Sequence, residues 1–361
     1  PGPRMTPEPV NLLLPEEGMQ STSPKGGDPM KHTLLAAAAA LALGLGPASA
    51  QDIQDRVIRF GYGLGEDSVQ GRAVEFFADE VERLSGGKMK VKGFGGAALG
   101  SDVQMQAALA GGAQEMMVGS TATLVGTVKE FGVWDLPFLF ATSEEADAVL
   151  DGPIGQRLIG MLPDHGLVGL VYWENGFRNL TNNRGPIASA ADMEGLKLRV
   201  MQNPVYLEVF SALGANAVPM PFSELFTALE TGAVDGQENP FTTIQSSKFY
   251  EVQDHLTITN HVYSPWIVTV SKSWWDTLSP DEQKVLMDAA VASRDFERAD
   301  TRAASAKALD ELKAAGMQIV EMPPAEIAKM RETAQPIIDA AIDAFGRPLY
   351  DEVMAELAKL R

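Results

Sequence analysis

The stretch from Ser279 to Ala315 contains no glycine and, after Pro280, no proline. Ser279-Pro280-Asp281-Glu282 is a helix start with a cap, a proline in the first turn and a glutamate at the third helical position. The helical pattern then runs on to Gly316, about 35 residues, well beyond the usual globular length. A helix that long is a coiled coil, a membrane span or a bracing element. This one is too polar for a membrane and has no sustained apolar heptad. It is therefore expected to brace two lobes, and any fold for the chain must offer two bodies for it to touch.

The preceding segments alternate between strand and helix patterns. VIRFGYG reads as a strand. GRAVEFFADEVERLSGG reads as a helix with Val74, Phe77, Val81 and Leu84 on one face, stopped by Gly86-Gly87. KMKVKGF, a helix capped by Ser101 and the short strand EMMVGS follow, so a parallel sheet with helices on its faces is expected. FGVWDLPFLF reads as packed loop, and Thr142 with Glu145 as a capping box for a helix to about Leu150. LVGLVYW and LKLRV read as buried strands. Helices are expected from about Pro204 to Leu213, from Ser223, and over FTTIQSSKFYEVQDH. HLTITNHVYSPWIVTVS is extended and interrupted at Pro265. MQIVEM is a strand, and two helices end the chain.

Met30 opens MKHTLLAAAAALALGLGPASA, with Lys31 and His32 ahead of an apolar run. Ala48 and Ala50 occupy the minus-three and minus-one positions of a cut before Gln51. This is the layout of a cleaved export signal, and the run is shorter than the ~20 apolar residues of a membrane span. Residues 1–29 then read as upstream sequence, with Met30 the initiator and Met5 the alternative start. Residues 1–50 are set apart from the folded protein, which is expected outside the cytoplasm.

The first fifty residues hold three Lys or Arg and four Asp or Glu, so the rest carries −18 of the net charge of −19. Such a charge repels nucleic acid and anionic membranes. A small anion can still be held if a buried arginine meets it locally. The absence of cysteine removes disulfides, thiolate metal sites and thiol nucleophiles together. His32, His165, His255 and His261 show no metal-ligand spacing, and no nucleophile elbow, phosphate loop or kinase motif occurs. Gly61, Gly63 and Gly65 lack the third glycine of a dinucleotide loop, Glu66 standing in its place. No cofactor is expected. A soluble enzyme acting on an organic acid is the alternative of another class, and its base would be Glu174, Glu224 or Glu238.

Arg199 stands inside the apolar strand LKLRV, where burial demands a partner. That partner is either an internal carboxylate, such as Glu194 or Glu238, or the carboxylate of a ligand. Arg178, in WENGFRNLTNN, is either an ordinary surface arginine or a second anion contact. Asn239, in DGQENP, suits a cap or a ligand hydrogen bond, and Phe222 suits core or pocket wall. Trp173, Tyr263 and Trp266 are candidates to stack on a flat apolar face. Trp274 and Trp275, beside a helix start, read as structural.

FFADEVERLSGGKMKVKGFGGAALGSD, NGFRNLTNNRGPI, ADMEGLKLRV, MPFSELFTALETGAVDGQENP, SSKFYEVQDHLTITNH and LSPDEQKVLMDAA together cover the chain from about Val57 to its C-terminal helices. In this order they resemble the DctP family of solute-binding proteins of tripartite ATP-independent periplasmic (TRAP) transporters. The resemblance implies an α/β periplasmic binding protein, class II-like. Two lobes would hinge around a ligand cleft, with the long helix across both. The lobes are expected to comprise residues 51–176 with 265–304, and 177–264 with 305–361. The family's carboxylate-binding arginine falls on Arg199, with Arg178, Asn239 and Phe222 at further family positions. Ser120 stands where sialic-acid binders carry an acid, which argues against that ligand. LRVMQNP and HVYSPW are similar to members that take uronates and related sugar acids. Trp173 and Trp266 would then face a pyranose, with Gln202 and Asn203 near its hydroxyls. A C4-dicarboxylate, using Arg178 for its second carboxylate, is the alternative. The implied partners are the small and large permease subunits, and the implied state is a periplasmic monomer.

Overall fold

Two mixed sheets are joined by a strand lent in each direction. The computed structural model describes residues 52–361, so the upstream segment, the export signal and its cut before Gln51 lie outside the described residues. The first sheet contains β1 (Arg56–Tyr62), β2 (Met89–Phe94), β3 (Met116–Ser120), β4 (Leu167–Phe177) and β10 (Tyr263–Ser271), in the order β2-β1-β3-β10-β4. The second contains β5 (Asn179–Asn182), β6 (Lys197–Val200), β7 (Asn216–Pro219), β8 (Gly236–Asn239), β9 (His255–Ile258) and β11 (Gln318–Glu321), in the order β11-β9-β5-β8-β6-β7.

The expected parallel opening is present, β1 pairing parallel with both β2 and β3. The sheet as a whole is mixed, because β10 runs antiparallel to β3 and β4. In the second sheet β5 runs antiparallel to β8 and β9. The reversed strands are the ones that arrive from the other lobe. β4 continues through Arg178 into β5, and β9 returns through residues 259–262 into β10. The third crossing is the long helix.

The helices, in chain order, are α1 (Val69–Leu84), α2 (Asp102–Ala110), α3 (Ser143–Asp151), α4 (Pro153–Ile159), α5 (Pro204–Ala212), α6 (Leu225–Glu230), α7 (Phe241–Ser246), α8 (Lys272–Trp275), α9 (Pro280–Ala314), α10 (Pro324–Phe345) and α11 (Arg347–Leu360). Ser279 and Glu282 form the expected capping box of the 35-residue α9. Its first half packs Val285, Leu286, Ala289 and Ala290 into the core of the first lobe, beside the stacked rings of Phe76 and Phe296. Its last turns place Leu312 in the core of the second. Between them a polar face meets β4 and α3. Arg298 grips Asp151 with two bonds of 2.6 and 3.0 Å, Arg302 reaches Glu174 and Asp147, and Glu297 accepts the Glu174 N–H at 2.8 Å.

Local expectations differ from the structure at several points: β10 runs through Pro265, the break in that stretch falling at residues 259–262, and FGVWD lies in the 3-10 helix Lys129–Asp135. The helix expected over FTTIQSSKFYEVQDH stops at Ser246, because Lys248 turns left-handed (φ 55°) and only a short 3-10 turn, Phe249–Glu251, precedes β9. At α3, Thr142 accepts the Glu145 N–H, but the Glu145 carboxylate caps Ala141 N–H instead of closing the box. Glu145 also pairs with Arg361, which ties the chain end to α3.

Candidate functional site

In open α/β sheets, ligands bind beyond the carboxyl ends of the strands. Here those ends converge from both lobes on one cavity of roughly 650 Å3 including its mouth. Gly63 and Leu64 follow β1, Ser120 ends β3, Met201 and Gln202 follow β6, and Asn239 ends β8. Phe222 and Trp266 complete the apolar part of the wall.

Arg199 is 2% exposed and lines this cavity. Its Nε and one Nη donate to the carbonyl oxygen of Met220 at 2.9 and 2.7 Å. That carbonyl fixes the guanidinium without neutralising it. No carboxylate lies within ion-pair distance of Arg199 among the described residues. Burial lowers its pKa to about 10, partly offset by the fields of Glu238 and Asp102, so it remains a cation at neutral pH.

The internal pair weighed for Arg199 is made by Arg178 instead. Arg178 is wholly buried, not a surface side chain, because the polar-looking stretch after β4 is the crossing into the second lobe. Its guanidinium meets both carboxylate oxygens of Glu238 and donates to the Glu238 carbonyl at 2.6 Å. Its carbon lies 5.7 Å from the centroid of the Tyr206 ring. His261 adds a 3.1 Å contact to the same carboxylate. Burial alone would raise Glu238, but Arg178 and His261 hold it down at about 2. Arg178 also borders the cavity, with its charge already matched.

Asp102 was not singled out in the sequence. It is the first residue of α2, and its carboxylate accepts the Ser120 N–H at 2.9 Å. Gly119 permits this approach, since a Cβ there would stand 2.9 Å from Asp102 Oδ2. Burial pushes the Asp102 carboxyl up, opposed by Ser120 and Arg199. The first lobe thus presents an acid to the cavity, and the second lobe presents Arg199. An acid opening a helix at the end of a parallel strand was the available sequence signal.

Asn175 and Thr243 were also missed. β4 and β10 lose register at Glu174 and Gly176, leaving Asn175 as a bulge, with Gly176 at φ 110°. Asn175 then lines the cavity and accepts from Thr243 Oγ1 at 3.1 Å. No local pattern marks such a bulge.

Of the residues expected at the site, Arg199, Arg178, Asn239, Phe222, Ser120, Gln202 and Trp266 line the cavity. Asn239 donates to Gln237 Oε1 at 2.6 Å, Ser120 Oγ caps the 3-10 turn Thr121–Leu124, and Gln202 is exposed at the rim. Trp173 and Tyr263 do not line it. Ser120, Trp266 and Trp173 stand in one row across β3, β10 and β4. Trp173, at the row's far end, is sealed against Phe60. Tyr263 is held edge-on between Phe140 and Phe177.

The three carboxylates considered as bases are not free for that role. Glu238 is paired, Glu174 accepts from Arg302 and Ser143, and Glu224 is not part of the cavity wall. Among the described residues no cluster of His, Asp or Glu suits a metal ion.

A crystal structure of the sugar acid binding protein DctPAm from Advenella mimigardefordensis, in complex with galactonate, superposes with a TM-score of 0.85 at 51% identity, covering 86% of this chain and all of that one. A TRAP periplasmic solute binding protein from Polaromonas, bound to D-erythronate, is 39% identical with a TM-score of 0.80, over 83% of this chain and 98% of that one. The C4-dicarboxylate-binding periplasmic protein DctP of Rhodobacter capsulatus is 34% identical over 90% of this chain and 97% of its own length. The profile of the bacterial extracellular solute-binding proteins of family 7, DctP, matches residues 60–344. The chain belongs to this DctP family, the binding proteins, not enzymes, that deliver small organic acids to the membrane subunits of TRAP transporters.

Proposed function

We propose that this protein captures a sugar acid, a polyhydroxy monocarboxylate, in the periplasm and hands it as a monomer to the small and large subunits of a TRAP permease. Export through the signal ending at Ala50 belongs to the same reading. The observation that carries the choice of ligand is the charge inventory of the cavity. It holds one arginine without a carboxylate partner, Arg199, one already neutralised, Arg178, and an acid from the other lobe, Asp102. One carboxylate is matched by Arg199 through a two-pronged charge-assisted bond. A second carboxylate would meet Asp102 and a spent Arg178. Asp102, Asn175, Gln202 and Asn239 suit hydroxyl groups, and Trp266 and Phe222 suit the carbon backbone between them. The galactonate and D-erythronate bound by two relatives agree with this class.

Closure around the ligand excludes water and strengthens the Arg199 contact, and a ligand that favours the closed form shifts the population towards it. A C4-dicarboxylate is the second reading. It is favoured by one feature, the Nη1 of Arg178, which has no hydrogen-bond partner. Calorimetric titration with galactonate, glucuronate and succinate tests the choice. Submicromolar binding of a sugar acid with weak or absent succinate binding is expected, whereas tighter binding of succinate than of any sugar acid overturns it.

A further inference from the structure

Asn203 is buried, does not line the cavity, and uses the two ends of its side chain in different lobes. Its Oδ1 accepts the N–H groups of Val205 and Tyr206, at 2.9 and 3.4 Å, and so caps α5 in its own lobe. Its Nδ2 donates to the carbonyl oxygen of Ala122 at 3.0 Å and to Asp135 Oδ2 at 2.8 Å. Ala122 and Asp135 both belong to the segment between β3 and β4, the two strands of the first sheet that flank β10. The cavity walls lie on either side of this contact: Ser120 and Thr123 precede and follow Ala122, and Met201 and Gln202 precede Asn203. Ser120 Oγ is also 3.6 Å from Met201 Sδ.

We propose that Asn203 is a positioning residue that clasps the lobes together and sets how long a captured ligand stays bound. A helix cap needs only the side-chain oxygen, which serine or aspartate supplies as well. Both amide hydrogens are spent on the opposite lobe, which is what asparagine alone among the good caps provides. Arg199 lies four residues upstream, so the clasp fixes the arginine-bearing wall against the Ser120–Thr123 wall without touching the ligand. Opening the cleft breaks both bonds. Losing them therefore accelerates release and leaves the helix capped.

The proposal rests on the cleft being the ligand site, and its test separates the two. In stopped-flow measurements with galactonate, Asn203→Ser is expected to release ligand about tenfold faster than wild type, with association unchanged within about twofold. The ligand-free melting temperature is expected to stay within about 2 °C. Asn203→Asp, which replaces the amide donor by an acceptor facing the Ala122 carbonyl, is expected to release faster still, and adding Asp135→Asn, whose amide can donate to it, is expected to restore part of the loss. An unchanged release rate in both single variants overturns the clasp. So does a loss that only tracks destabilisation of the ligand-free protein. If galactonate does not bind wild type, the sugar-acid reading falls and a ligand-independent measurement decides. The chain has no cysteine, so spin labels at Lys92→Cys and Glu230→Cys, one exposed site on each lobe, report the separation of the lobes. A longer mean distance in Asn203→Asp supports the clasp, and an unchanged distribution overturns it.

Discussion

Arg178 and Arg199 border the same cavity, yet only Arg178 has a carboxylate of its own. Glu238 closes on Arg178 from the neighbouring strand β8, while Arg199 is steadied by a neutral carbonyl, that of Met220. The two arginines therefore answer differently to substitution. Arg199→Ala is expected to weaken galactonate binding by about 2–5 kcal/mol, at least thirtyfold, with the ligand-free protein still folded. Arg199→Lys, which keeps the charge but loses the fork, is expected to fall between. A calorimetric titration alongside a melting curve checks both, and a variant that melts far below wild type without ligand would contradict the assignment.

Glu238→Ala leaves Arg178 buried and unpaired. A loss of about 3–5 kcal/mol in folding stability is expected, read by denaturant unfolding without ligand. A loss of affinity with stability intact would mean that Glu238 is a ligand group and not the keeper of Arg178.

Buried carboxyls, Glu238, Glu297 and Asp135 prominent among them, set the pH dependence of stability. Glu238 is held down at about 2 against its ordinary 4.5, so its contribution is present above that ordinary value and is lost as pH falls from 4.5 towards 2. Glu297 and Asp135 are pushed up by burial to about 8, from 4.5 and 3.8. The native state retains their protons while the unfolded chain has released them. Stability therefore declines as pH rises from about 4 to 8, by up to about 1.4 kcal/mol per pH unit for each such group. Maximum stability is expected on the acid side of neutrality. Glu297→Gln can still accept from Glu174 N–H and can donate to Thr301 Oγ1, so it should raise the melting temperature at pH 8 and flatten the decline. Calorimetric scans between pH 3 and 9 check this, and a melting temperature that rises from pH 5 to 8 would refute it.

Trp266 and Trp173 are direct neighbours across β10 and β4, but only Trp266 reaches the cavity. Trp266→Phe is expected to abolish the ligand-induced change in tryptophan emission, and Trp173→Phe to preserve it. Trp173→Ala is expected to cost about 3–5 kcal/mol of stability by emptying its place against Phe60.

What the sequence made legible was mostly local. The capping box at Ser279, the length of α9 and the glycine stop after α1 are written in neighbouring residues, and all are present. Arg199 stood out because a charge in an apolar strand is costly wherever the strand lies. Arg178 reads as part of a polar loop because a strand that crosses between lobes has that look when its partners, Glu238 and His261, are 60 and 83 residues away in the chain. Trp173 and Trp266 could not be separated, since both lie in apolar strands and only the sheet order decides which one α9 covers. Asp102 is one of many first-turn acids in the sequence, and the close approach permitted by Gly119 exists only in three dimensions.

The backbone passes between the two sheets three times, through Arg178, through residues 259–262 and through α9. Two bodies tethered so closely meet at a high effective concentration. Shutting the mouth is thus an intramolecular rearrangement, and a guest of a few carbons need not supply the translational entropy that two free partners would lose. The modest contact area of a small acid is sufficient to tip such a balance.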